Sequence, residues 1–489
     1  MKSIFRATAI LSAGSVVNML VGLLSAKVLA VFLHPAGYGY YGLLQSFVNL
    51  AAMVTGMGMA SGMVRMGASA VTSGKEMVIA SLRRGAWLLF SGLGAVALVV
   101  LVTFRVAMSR WVLGSPDHSG TILLMGFALL FTAAINVQTG TLNAYHRVAA
   151  LAKFAVVNAV LGAATSIACA VLWRVQGIAP AVIGGAIASW AASWYFVRHE
   201  VGCVRVRPSG CDTLKAAWSL LRFGGPFTAS MLVGTGVQLI MPIVVLHLLG
   251  AESVGYYKAA AAISVGYLGF LVTAMGQDYY PRVAAVKEQP RGLIDLINEQ
   301  HRLIMLLAAP IILGTLAVVP YLVPVVFSQK FTPAVEILEW QLIGDLFKFS
   351  SWTMAFAILA RCGSSIYFLT ESIGGLATVV TTWLSVRWFG LPGLGISFLL
   401  TYLIYYVAVW IIIRREIPLV WTTSNKKMMA ATVAAALIVR CLPLTRFAHA
   451  RTSIALVLAI GFGVFSLTIL WRQYIGEGRS LSRGIGAEA

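Results

Sequence analysis

Long apolar stretches alternate with short polar breaks along almost the whole chain. Fourteen stretches are legible, over residues 10–33, 36–60, 78–104, 119–144, 150–174, 178–198, 221–249, 253–277, 301–327, 334–360, 364–388, 392–414, 427–443 and 452–473. A helix of about 20 apolar residues crosses about 30 Å of hydrocarbon. The pattern therefore predicts an all-α polytopic membrane protein of about 14 transmembrane helices. The first stretch is too long for a typical apolar signal core, and no small-x-small cleavage site clearly follows it, so it reads as part of the fold.

The pattern also repeats. Gly39-Tyr40-Tyr41 recurs as Gly255-Tyr256-Tyr257, an offset of 216 residues. Counting back without a gap, Leu33 meets Leu249, Val28 meets Val244, Val21 meets Val237, Ala13 meets Ala229 and Arg6 meets Arg222. With small slips, Thr55-Gly-Met-Gly58 resembles Thr273-Ala-Met-Gly276, Arg65 matches Arg282, Arg147 matches Arg361 and Phe154 matches Phe368. Such repeats mark transporters built from two related lobes, with a substrate pathway expected where the lobes meet. The expected division is an N-lobe at 1–199, a linker at 200–220, a C-lobe at 221–415 and a C-terminal appendage at 416–489. Six spans per lobe is an even number, so both lobes insert the same way up. They are then related by a pseudo-twofold axis along the membrane normal. The polar stretch 283–300 reads as an amphipathic helix on the membrane surface, and 212–220 as a second.

Composition agrees with the pattern. Hydrophobic residues make up 59% of the chain and charged residues 11%, with mean hydropathy +0.88. The net charge of +20 would suggest nucleic acid in a soluble protein. Here sidedness explains it: of 36 Lys and Arg, 25 fall on the side of the termini, eight on the other side, and Lys27, Lys258 and Lys348 within spans. The excess places both termini in the cytoplasm, and no basic patch with interleaved aromatics is left to indicate nucleic acid. Cys169, Cys203, Cys211, Cys362 and Cys441 are scattered, without metal spacing, and read as structural.

Four segments carry a family likeness. They are the Arg6-to-Leu33 stretch, the turn Leu33-His-Pro-Ala-Gly-Tyr-Gly-Tyr-Tyr41, Leu221-Arg-Phe-Gly-Gly-Pro226, and Gly390-Leu-Pro-Gly-Leu-Gly395. In order and spacing, over about residues 1–415, they resemble the polysaccharide-export branch of the multidrug/oligosaccharidyl-lipid/polysaccharide exporter superfamily. The likeness is strongest to its Wzx-type flippases of O-antigen and related lipid-linked oligosaccharides. The resemblance implies a transporter in the bacterial inner membrane, with no cofactor. It would carry an undecaprenyl-diphosphate-linked oligosaccharide from the inner to the outer leaflet by alternating access. It also implies a monomer among membrane lipids, with a glycan polymerase and a chain-length regulator as partners. The usual member has twelve spans. Fourteen resemble the lipid II flippases of peptidoglycan synthesis, and keep that substrate open.

A lipid diphosphate is expensive to desolvate, so a flippase must offer cations along its path. Lys27 and Lys258 lie in the outer halves of spans one and eight, which the resemblance implies face a central cavity. An intramembrane Lys costs about 2.5–3.5 kcal/mol, although both are close enough to a span end to snorkel. Tyr256 and Tyr257 fit either sugar stacking or interfacial anchoring. Arg65, Arg147, Arg282 and Arg361 fit either phosphate binding or positive-inside topology. Gln45, Gln138 and Gln238 fit sugar hydroxyls or interhelical hydrogen bonds. In span ten, Asp345 and Lys348 are three residues apart and can pair, as structural partners or as an ion-coupling relay. Glu336 and Glu339, near the outer end, read as solvated. Glu371 fits either a neutralising pair with Arg361 or a part in ion coupling or gating, and Asp278 either a local pair with Arg282 or the same part.

Other classes fit less well. A cation antiporter of the same superfamily would need acids in the first lobe, and no Asp or Glu occurs between Ala7 and Ala60. A membrane glycan polymerase or ligase would need a sizeable outer loop, and the longest outer segment, about 105–118, is too short. His34, His118 and His449 are isolated there, so no catalytic constellation forms.

Overall fold

A computed structural model describes residues 2–56, 59–202, 206, 208–442 and 451–485. Met57, Gly58, Cys203 and His449, named above, lie outside these, as does the end of the stretch 427–443. Among the described residues every regular element is a helix. The long ones are α1 (Lys2–Gly56), α2 (Glu76–Leu113), α3 (Ser119–Ala144), α4 (Val148–Trp173), α5 (Ile178–Glu200), α6 (Gly210–Leu249) and α7 (Ala251–Ala274). They continue as α8 (Pro290–Val326), α9 (Ala334–Arg361), α10 (Ser364–Phe389), α11 (Gly393–Glu416), α12 (Thr423–Cys441) and α13 (Arg451–Ile485). Within the described residues each of the fourteen expected spans lies on one of these helices for most of its length, the first two within α1 on either side of a break at His34. Among the described residues, nine helical segments are long and apolar enough to cross a membrane by themselves.

The helices divide into two compact units, Met1–Ala259 with Val326–Phe331, and Ala260–Val325 with Thr332–Ala489. In the first, α5 packs on α3 and α4, α1 on α4, and α2 on α3 and α6. In the second, α9 is the most buried helix and lies along α11, which also packs on α10. Small residues permit that approach: a methyl group on Gly395 would strike the Ile337 carbonyl. Hydroxyls add interhelical hydrogen bonds, Thr381 to Thr401 at 2.8 Å and Thr382 to Ser397 at 3.0 Å. Large apolar side chains such as Leu172, Val325, Leu376, Trp388 and Val457 are turned outward. This surface suits lipid rather than water.

The backbone breaks repeat with the sequence. His34 (φ 57°, ψ 178°) ends span one, and Gly250 (φ 84°, ψ 175°) ends span seven, 216 residues later. Arg174 (φ 50°, ψ −126°) and Gly390 (φ 62°, ψ −134°) are spaced identically. Glycine takes these angles without steric penalty, whereas a side chain there costs about 1–3 kcal/mol. The first half of the chain therefore holds His and Arg in strained conformations that the second half relieves. His34→Gly should raise the melting temperature of the purified protein, and Gly250→His should lower it. A lower value for His34→Gly would show that its side chain matters more than the strain. Helical irregularity repeats too. One π-helical turn spans Met63–Gly67, with Arg65 inside it, and another spans Met275–Tyr279, with Asp278 inside it.

Three expectations need correction. Residues 212–220 are not a separate surface helix, because Ser209 caps a helix that runs unbroken from Gly210 into span seven. Its hydroxyl accepts from the Asp212 amide at 3.1 Å. The stretch 283–300 is likewise no independent helix. The chain turns at Lys287–Gln289, and from Pro290 onward it runs straight into span nine with Leu293 and Ile297 buried. Glu339 is not solvated. It is 2% exposed and ion-paired with Arg440, at 3.0 Å, and with Arg451. These arginines, from α12 and α13, bind the appended helices to α9.

Candidate functional site

Two clusters of polar side chains stand out inside spans, one in each unit. The first is built on the Gly-Tyr-Tyr repeat. Gly39 and Gly255 touch: a methyl group on Gly39 would lie 2.7 Å from the Gly255 amide nitrogen, and one on Gly255 would strike the Pro35 carbonyl. Span two and span eight therefore cross with almost no side chain between them. One turn further in, the stem of Lys258 lies over Gly42, within 3.1–3.3 Å of where a Cβ would sit. Gly42 is the residue 216 positions before Lys258, so the first repeat leaves vacant the volume that the second fills. The Lys258 ammonium donates to Ser46 Oγ at 2.8 Å, and Ser46 in turn donates to the Gly42 carbonyl at 2.9 Å.

That geometry gives the lysine a direction. Ser46 lies seven residues beyond Gly39, while Lys258 lies three beyond Gly255. At 1.5 Å per residue the ammonium is directed about one turn deeper than its own Cα. It points into the span rather than snorkelling to the near end. Among the described residues it has no carboxylate partner. Around the cluster, Tyr41 bonds Ser166 on α4 at 3.0 Å, and Tyr38 packs edge-on against Phe327 and Phe331. Tyr256 sets its ring edge-on to Phe331 and its hydroxyl 3.4 Å from Glu252. Lys27 and Tyr257 are both half-buried.

The second cluster is the expected pair in α9. Asp345 is fully buried, with Lys348 Nζ at 3.9 Å from one carboxylate oxygen and Ser264 donating to the other at 3.0 Å. Lys348 lies in an aromatic cage, 5.0 Å from the Trp352 ring centre, 5.4 Å from Phe398 and 5.2 Å from Tyr402. It donates a hydrogen bond to the Tyr402 oxygen as well. The cage compensates the ammonium through both ion pairing and cation–π attraction. Glu371 does not pair with Arg361. It accepts a hydrogen bond from Tyr405 at 2.7 Å, with Tyr367 as a second donor.

The four arginines have separate surroundings within their units. Arg65 stacks over Phe223 at 4.5 Å, and Arg147 is 4.0 Å from Glu200. Arg282 pairs with Asp278 at 3.4 Å, as expected, and with Glu299 at 3.3 Å. Burial opposes the charge of Arg282, but these carboxylates raise its pKa above the ordinary guanidinium value. Arg361 is 3.9 Å from Glu416 and donates to the Lys287 carbonyl. The glutamines diverge. Gln138 is buried and bonded to Ser193 across α3 and α5, the interhelical role. Gln45 bonds Asn49 at 3.3 Å, and Gln238 is exposed. Cys169, Cys211, Cys362 and Cys441 are free thiols, and burial pushes Cys362 up, away from reactivity.

Sequence reasoning missed Ser46, Ser264, Trp352, Phe398, Tyr402 and Tyr405. Their types carry no motif. Only Gly42 left a signal, as the small counterpart of a half-buried lysine one repeat away.

The helices, their outward apolar surface and the charged groups compensated inside them define a multi-pass membrane protein. The chain belongs to the polysaccharide biosynthesis protein family, which it matches over residues 28–336. It is 22% identical over 414 residues to the lipid III flippase of Escherichia coli K12, covering 83% of this chain and 96% of that protein. Among solved structures it shares the fold of the lipid II flippase MurJ in its inward closed conformation, with TM-score 0.71 and 14% identity, over 96% of this chain and 100% of that one. An inward-facing multidrug resistance MATE family transporter gives TM-score 0.68 at 15% identity, over 84% of this chain and 96% of that one. The MurJ likeness, over 96% of this chain, is long enough to reach into α12 and α13.

Proposed function

We propose that this protein flips an undecaprenyl-diphosphate-linked oligosaccharide, such as an O-antigen or exopolysaccharide repeat unit, from the inner to the outer leaflet. The observation that carries this reading is Lys258. An ammonium held inside a span, with no carboxylate partner among the described residues, suits an anionic substrate and repels a cationic drug. The family and the relative named lipid III flippase support the same substrate class. In this reading the lobes 1–199 and 221–415 alternate access around the path, with both termini in the cytoplasm of a bacterial inner membrane. Lys258 and Lys27 meet the diphosphate, with Tyr256 and Tyr257 beside them. Arg65, Arg147, Arg282 and Arg361 gather anionic headgroups at the cytoplasmic ends. Asp345 and Lys348, with Glu371 and Asp278, couple an ion to the cycle or gate it. Gln45, Gln138 and Gln238 are the weakest members of the set. A glycan polymerase and a chain-length regulator would act on the product, and the transporter works as a monomer.

Lipid II is the second reading, favoured by the MurJ likeness, which takes in the appended helices. Both readings are tested in cells by labelling the polyprenyl-diphosphate pool and measuring access of a periplasmic glycan-modifying enzyme. Deletion of the gene should trap the glycan-lipid inside and leave drug resistance unchanged. Normal emergence of the glycan-lipid, with cationic dyes accumulating instead, would make the chain a drug exporter.

A further inference from the structure

The first unit contains a cavity of about 510 Å³ that neither cluster above uses. This is within the roughly 300–1,000 Å³ typical of small-molecule sites. It lies at the ends of α2, α3 and α5 that carry the basic loops, closed by Gly202 and Val206 of the segment after α5. Its floor is buried: Ala80, Gln138, Thr141 and Val197. Its rim holds Arg83, Arg84 and Arg198 with Trp87 and Trp194.

The arginines are the informative part. Arg83 is half-buried and one of its guanidinium nitrogens, NH1, is wholly buried with no hydrogen-bond partner. Leaving such a donor unmet costs about 1–3 kcal/mol, more for a charged group. Arg84 is held by one bond, to the Pro208 carbonyl at 3.3 Å, and Arg198 lies over the Trp194 ring at 5.1 Å. Among the described residues none of the three is ion-paired. Topology explains basic residues at a span end, and Arg84 and Arg198 are exposed while Arg83 is half-buried. It does not explain why three arginines, none ion-paired among the described residues, line one cavity beside two tryptophans. An oxyanion with several acceptors, seated in the cavity, would meet the accessible guanidinium nitrogens of the three arginines that line it. Both tryptophans are partly exposed at the rim, where indoles sit at headgroup depth in a bilayer.

We propose that this cavity binds the phosphate-bearing headgroup of a membrane lipid. The phosphate oxygens meet Arg83, Arg84 and Arg198, and the acyl or prenyl chain leaves past Trp87 and Trp194 into the bilayer. The inference concerns binding alone: with an ordinary anionic phospholipid as occupant it is independent of transport, and with a polyprenyl diphosphate it rests on the proposed function. One phosphate chemistry has two membrane sources here, a polyprenyl diphosphate and an ordinary anionic phospholipid.

The test uses the purified full chain in neutral detergent, with polyprenyl diphosphate as probe and native mass spectrometry or tryptophan fluorescence as readout. Arg83→Gln with Arg198→Gln should weaken binding about tenfold or more, with an unchanged melting temperature. Arg105→Gln with Arg110→Gln removes the same charge from exposed positions further along α2, and should leave binding within about twofold. Phosphatidylglycerol then separates the sources. Displacement of the probe at equal concentration identifies an ordinary anionic lipid, and failure to displace it identifies the diphosphate. Either result supports the site. Native affinity in the cavity variant, or an equal loss in the control, overturns it.

Discussion

Glu339→Gln should destabilise the protein by about 3–5 kcal/mol, the largest loss expected from any single change of charge in this chain. Among the described residues Glu339 is the carboxylate paired with both Arg440 and Arg451, and the three side chains are 3%, 14% and 13% exposed. Neutralising it leaves two buried guanidinium groups without a counter-charge. Arg440 also lies over the Trp340 ring at 5.2 Å, which holds it in place and prevents an easy escape to water. Thermal unfolding of purified protein should show the loss directly. A second variant separates charge burial from shape. Glu339→Leu with Arg440→Met and Arg451→Met removes all three charges together, and buried ion networks replaced in this way often lose little stability or gain some. The triple variant should recover most of what Glu339→Gln loses. If Glu339→Gln melts with the native protein, the triad is hydrated and α12 and α13 are fastened by packing alone.

That triad also shows where a one-dimensional reading stops. The fourteen apolar stretches were legible because lipid selects for composition, and within the described residues each lies on a helix for most of its length. The 216-residue offset was legible as well, and its reach exceeds the residues that matched. His34 and Gly250 share no side-chain chemistry, nor do Arg174 and Gly390, yet each pair has the same backbone conformation at the same offset. Backbone geometry has outlasted side-chain identity. Pairing across long sequence separations was not legible. Glu339 and Arg451 are 112 residues apart, so a carboxylate near a span end had no visible reason to be buried. Glu371 had Arg361 as its only visible partner in sequence, while the structure gives it Tyr405, 34 residues away, because a hydroxyl at 2.7 Å on a packed neighbour outcompetes a cation held elsewhere by Glu416. Asp345 with Lys348 and Asp278 with Arg282 were readable, since three- and four-residue spacings share a helical face.

Lys258→Met should reduce delivery of lipid-linked glycan to the outer leaflet about 10- to 100-fold while making the protein more stable. The two effects have different origins. A charge-assisted contact to a diphosphate oxygen is worth about 1.5–3 kcal/mol, and each 1.36 kcal/mol of barrier is about tenfold in rate. Stability moves the other way because an intramembrane ammonium costs about 2.5–3.5 kcal/mol. Its present compensation is one hydrogen bond to Ser46. Removing it leaves no orphan, since Ser46 already donates to the Gly42 carbonyl. A structural lysine would behave differently: Lys258→Met would then lower stability and export together. Gly42→Leu supplies an independent arm. Its side chain would occupy the volume of the Lys258 stem, where even a Cβ comes within 3.1 Å. The ammonium would be displaced although its charge is retained, so export should fall as it does for Lys258→Met. Gly42→Ala adds only that Cβ, and the flexible stem can move by a few tenths of an ångström, so its export should lie between native and Gly42→Leu. Full export from Lys258→Met at native protein levels would remove this lysine from the substrate path and leave the repeat, not the charge, as the reason for Gly42.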